Sequence, residues 1–154
     1  MPSRTGAAVI CAALLLFALH GVLGTTADAA STVNAGLSGG LSDSEIMRIG
    51  MGFAAANGDP DPDDVTAIAT THNAAVHAAM AGDDVGDDED VDLIVMTGDF
   101  AAEGAKHPPG AEIPTGTFLS LVIEPRTGEI WDYGLDSRRP DLSSLGDPTS
   151  LSRR

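Results

Sequence analysis

Beyond the N-terminal segment the chain has three histidines, His72, His77 and His107, the side chains best suited to proton or metal chemistry near neutral pH. His72 and His77 stand five apart in HNAAVH. A helical zinc pair needs i, i+4 spacing with Glu after the first His. At i, i+5 two side chains point about 140° apart on a helix. No cysteine is at hand to complete a zinc set, so both are read as helix-face histidines and no metal ligand is assigned. Serine and threonine are abundant, but no G-x-S-x-G elbow presents a nucleophile. Carboxylates are too numerous for any pair to be singled out for glycoside chemistry. Gly36, Gly39 and Gly40 lack the preceding strand of a phosphate-binding loop. No catalytic and no cofactor-binding residue is assigned, and the chain is read as a non-enzyme without a cofactor.

Calcium has the clearest physical motive. Asp59, Asp61 and Asp63 form D-x-D-x-D, the opening of an EF-hand-type loop. The loop then departs from that pattern. Its sixth position is Asp64 where the sharp turn wants Gly, its twelfth is Thr70 where a bidentate Glu belongs, and Pro60 and Pro62 stiffen it. A second cluster, 83–92 (DDVGDDEDVD), has seven acidic side chains in ten residues without ligand spacing. It is read as a solvated loop. Loose calcium binding by 59–64 or 83–92 stays open as an alternative.

The whole chain fixes the setting. It has 154 residues, 8 Lys and Arg against 23 Asp and Glu, and a formal net charge of −15. Nucleic acid is excluded as a partner, because phosphate contacts need Lys and Arg, and an anionic membrane surface is disfavoured for the same reason. Arg4, the apolar run Ala7–Leu19 and the small-x-small triplet Ala27-Asp28-Ala29 match a secretory signal peptide at 1–29, cleaved after Ala29. The run is short of the roughly 20 residues that span a bilayer. An uncleaved anchor, lengthened by Val22 and Leu23, is the lesser alternative. Cys11 lies inside the run, too early to be a lipidated first residue, and it is the chain's only cysteine, so no internal disulfide forms. The expected compartment is extracellular, with no stable membrane insertion once the signal is removed.

A Gly/Ser-rich linker covers 30–41 and a single domain 42–146, followed by a tail at 147–154 expected to fray. Ser42 or Asp43 caps a helix over 43–56, with Ile46, Ile49 and Phe53 on one face and Asn57-Gly58 at its end. Gly50 and Gly52 weaken that helix and allow close packing on a sheet. A short strand at 65–70 and a helix at 71–81 follow; one helix from Asp63 to Met80 is the rival reading. Leu93-Ile94-Val95-Met96 centres a strand at 91–100 fit for burial on both faces. After a long Gly/Pro loop at 101–115, strands at 116–124 and 129–135 form a hairpin, with Trp131, Tyr133 and Leu135 on one face. The order is helix, short strand, helix, three strands. It predicts an α+β fold with two helices packed on a small antiparallel sheet.

Ala55-Ala56-Asn57-Gly58-Asp59-Pro60, Val95-Met96-Thr97-Gly98-Asp99-Phe100, Pro108-Pro109-Gly110, Thr127-Gly128 and Asp132-Tyr133-Gly134-Leu135 resemble uncharacterised secreted proteins of actinobacteria, over roughly residues 45–146. The helix-plus-hairpin outline is similar to small PepSY-like or cystatin-like domains. The resemblance implies a secreted α+β module with a binding or inhibitory role, and it brings no catalytic residues. A protein or peptide partner is therefore the expected ligand, met through the Pro-rich loop, the aromatic hairpin or a sheet edge.

Overall fold

The computed structural model describes residues 40–80, 85–102, 104, 108 and 110–152. The signal segment, most of the linker, Asp83, Asp84, His107 and Pro109 lie outside the described residues. Within them, helix α1 spans Asp43–Ala56, strand β1 Asp64–Thr71 and helix α2 His72–Ala79. Strands β2 (Asp90–Ala101), β3 (Thr115–Ile123), β4 (Ile130–Asp136) and β5 (Thr149–Ser150) follow. They form one antiparallel sheet in the order β4-β3-β2-β1-β5, so the α+β expectation holds, with one strand more than foreseen.

Helix α1 starts where its capping chemistry says it should. The Ser42 side chain accepts a hydrogen bond from the Glu45 amide, and the Glu45 carboxylate accepts one from the Ser42 amide at 2.9 Å. These bonds satisfy two amide donors at the helix start. Asn57 is the C-cap and Gly58 follows at φ +98°. Gly50 is buried, and a Cβ there would meet Met96 Sδ at 3.4 Å, so it does let the helix approach the sheet; Gly52 faces open space. The break between β1 and α2 falls at Thr71, and the single-helix alternative is excluded because Asp64–Thr71 pairs residue for residue with β2.

The core is double. Ile94 and Met96 pack with Ile46, Ala54, Val65, Leu119 and Leu121 under α1. The intervening Leu93 and Val95 pack with Ala75, Val76, Val122 and Leu142 under α2. Adjacent strand residues point to opposite faces, so the helices lie on opposite sides of the sheet and β2 is buried on both.

Three expectations are corrected. The 147–154 tail does not simply fray: Thr149–Ser150 pair with β1, the Leu151 amide donates to the Val65 carbonyl at 2.8 Å, and the Leu151 side chain enters the α1-side core. The acidic 83–92 run is not a wholly solvated loop, since β2 begins at Asp90 and Asp92 is fully buried. Trp131 does not share a face with Tyr133 and Leu135. The β3–β4 register shifts between Val122 and Ile123, which pair with Asp132 and Ile130 and leave Trp131 as the extra residue of a bulge. Trp131 packs on the α2 side, whereas Leu135 and Tyr133 meet the α1 side, Tyr133 by a tilted ring contact with Phe53, centroids 5.1 Å apart.

Candidate functional site

The densest arrangement of polar chemistry surrounds His72, the first residue of α2. The Thr71 side chain does not cap that helix. The His72 amide, a donor without an intrahelical partner, is instead taken by the Glu89 carbonyl at 2.8 Å, which brings the segment preceding β2 against the helix start. Asp87 then reaches the imidazole, with its Oδ1 and Oδ2 at 2.9 and 3.1 Å from Nδ1. On the other side of the ring, Asp132 Oδ2 lies 2.7 Å from Nε2. The β4 bulge makes this second contact, because it sets Trp131 and Asp132 on the same face of the sheet. Trp131 covers the imidazole, with ring centroids 5.2 Å apart and planes tilted by 56°.

The His72 side chain is only 9% exposed, whereas the Asp87 and Asp132 side chains are 45% and 41% exposed. Burial is the largest single influence on the imidazole and disfavours its charge. The hydrogen bonds and charges of Asp132 and Asp87 together outweigh it, and the pKa is raised above the ordinary 6.5. The charged imidazole has two N–H donors, one for each carboxylate.

This geometry limits the chemistry available. Both ring nitrogens are taken by carboxylates, so neither is left to activate a nucleophile as a triad histidine does. The two carboxylates sit on opposite ring nitrogens and do not converge on a point where an ion could bind. Among the described residues no group of three or more His, Cys, Asp or Glu could hold a metal.

The other candidate residues are dispersed. His77 is exposed and points away from buried His72, as the five-residue spacing requires. Asp59 does not join Asp61 and Asp63 around a common centre. Its Oδ1 accepts from the Asp61 amide and its Oδ2 from the Asp99 amide, both at 2.9 Å, which ties the acidic turn to β2. In the 101–115 loop the Ala102 amide donates to the Pro114 carbonyl at 2.9 Å, and Ile113 is 44% exposed.

No family model, curated protein or solved structure matches the chain.

Among the described residues, the margin of the sheet is a further feature able to meet another molecule. At one end, among the described residues, β5 and Leu151 cover only Val65, Thr66 and Ala67 of β1. At the other, β4 is outermost, and among the described residues its ladder pairs with β3 alone. Tyr133, at its centre, is 45% exposed. At the turn end of the hairpin, Asp88, Glu89, Asp90 and Glu124 line an open hollow with Arg126. No helix among the described residues is long and apolar enough to cross a membrane.

Proposed function

We propose that this chain is a binding or inhibitory module of the cell exterior that takes an extended, basic segment of a protein partner alongside β4. The observation that carries this reading is the ladder edge over Ile130–Asp136, open among the described residues, where an added strand would find backbone donors and acceptors. The exposed Tyr133 ring offers such a strand an apolar contact. Charge selects the partner. Asp132 and Asp136 lie on the strand, the acidic hollow lies at its turn end, and the chain has a net charge of −15. A second copy would place like charges together, whereas a Lys- or Arg-rich segment would be attracted. The signal-like 1–29 segment supports the exterior setting.

The test is a titration of the isotope-labelled chain with a peptide alternating Lys and Val, and with its Glu/Val counterpart. The Lys peptide is expected to perturb the β4 amides first and to weaken steeply as salt rises. Perturbations that avoid β4, or equal binding of the acidic peptide, would overturn the reading.

A further inference from the structure

We propose that His72, Asp87 and Asp132 form a proton-operated clasp, which fastens edge strand β4 and the acidic 85–89 segment to the start of α2 when the imidazole is charged, and slackens when it is neutral. The proposal stands on connectivity and requires no partner at β4. Asp87 lies 15 residues from His72 in sequence and Asp132 lies 60. A single buried ring therefore joins three separate parts of the chain. Among the described residues β4 is otherwise held along its ladder by β3 alone, and the 85–89 segment belongs to no helix or strand.

The switching follows from donor counting. The imidazolium gives one N–H to each carboxylate. The neutral ring has one N–H, so its other nitrogen turns a lone pair toward a carboxylate oxygen less than about 3 Å away. One aspartate must then turn outward, and both are exposed enough to reach water.

The charged groups around the ring are few. The 85–89 segment supplies Asp87, with Asp88 bonded at 3.4 Å to the Thr71 hydroxyl and Glu89 offering its carbonyl to the His72 amide. β4 supplies Asp132. β2 and β3 present Val91, Leu93 and Val122 to the α2 side. On α2 itself His77 is exposed elsewhere on the helix. Arg139, after β4, pairs with Asp64, so it does not compete for either carboxylate.

The sign is fixed by linkage. The folded imidazole titrates above 6.5, so the clasp contributes fully below the unfolded value near 6.5 and is lost as pH rises through the folded value. Each unit of separation between the two is worth about tenfold in the ratio of closed to open clasp.

The experiment follows the full chain from pH 5.5 to 9 with three probes. These are the His72 ring resonances, the emission of Trp131 (the only tryptophan) and β4 amide exchange corrected for its intrinsic pH dependence. Ring and emission are expected to share one midpoint above 6.5. Protection of β4 is expected to fall through that midpoint, about tenfold for each unit it exceeds 6.5. His72→Gln is expected to remove the pH dependence of β4 protection. If that variant does not fold, Asp132→Asn, which keeps an acceptor oxygen but removes the charge, is expected to lower the ring midpoint. Constant β4 protection while the ring titrates, an unchanged pH profile in His72→Gln, or an unmoved midpoint in Asp132→Asn would each overturn the clasp.

Discussion

At the residue scale, the acidic turn and the Thr97–Phe100 irregularity of β2 are one structure. Gly98 sits where the β2–β3 register shifts, and the Asp59 carboxylate lies where a Gly98 Cβ would be, with the Phe100 ring close behind. The Asp99 amide next to Gly98 donates to that carboxylate. Gly98→Ala must push Asp59 away or displace the buried Phe100, and overpacking of this kind costs about 1–3 kcal/mol. Gly52→Ala, whose Cβ would meet open space within a helix, is the control and is expected to be neutral to stabilising. Urea denaturation of the two variants checks the pair. Equal stability would mean that the turn yields freely and that Asp59 is not held against β2. The same geometry explains why D-x-D-x-D reads as an ion loop in sequence: its first carboxylate points at a strand 40 residues away, which local spacing cannot reveal.

At the element scale, legibility follows how local the determining interactions are. Helix α1 was readable to its ends because a capping box, a 3.6-residue apolar stripe and Asn57-Gly58 all lie within 17 residues of Ser42. Alternation giving way to an alanine run points to the β1–α2 break, but one helix from Asp63 to Met80 fits the same residues, and only the pairing of Asp64–Thr71 with β2 decides between them. Thr149–Ser150 carries no pattern of its own, and its strand exists because Leu151 anchors it in the α1-side core. Alternation puts Trp131 on the wrong face because a bulge resets the two-residue period, and alternation assumes that none is present. The clasp was illegible for the reason Asp59 was: His72 meets Asp87 and Asp132 only after the sheet has formed. The tail gives the test at this scale. Leu151 is 9% exposed, so Leu151→Ala is expected to destabilise the fold by about 2 kcal/mol, at the low end for a buried leucine because its site lies at the margin of the core. A frayed tail would keep the change within about 0.5 kcal/mol in chemical denaturation.

At the scale of the whole molecule, a net charge of −15 opposes the compact state, and the question is whether cations relieve this by screening or by occupying a site. Screening depends on ionic strength and valence and takes little notice of which divalent ion is present. A calcium site needs six to eight oxygens directed at one point. Among the described residues no three or more acidic or histidine side chains converge to hold an ion, and several carboxylates are committed elsewhere: Asp59 to two amides, Asp87 and Asp132 to opposite sides of His72, and Glu124 to the amides of Arg126 and Thr127. Calcium and magnesium at matched concentration should therefore raise the melting midpoint equally, and sodium chloride at the same ionic strength should achieve part of that rise. A specific site would behave differently. Calcium at 100 times its dissociation constant would add about 2.7 kcal/mol, several degrees for a domain of this size, and magnesium would not match it. A calcium-only rise abolished by Asp61→Asn would show the 59–64 turn rearranging to bind the ion. Equal rises would leave the acidic surface as a field that favours basic partners, the property on which the β4 reading depends.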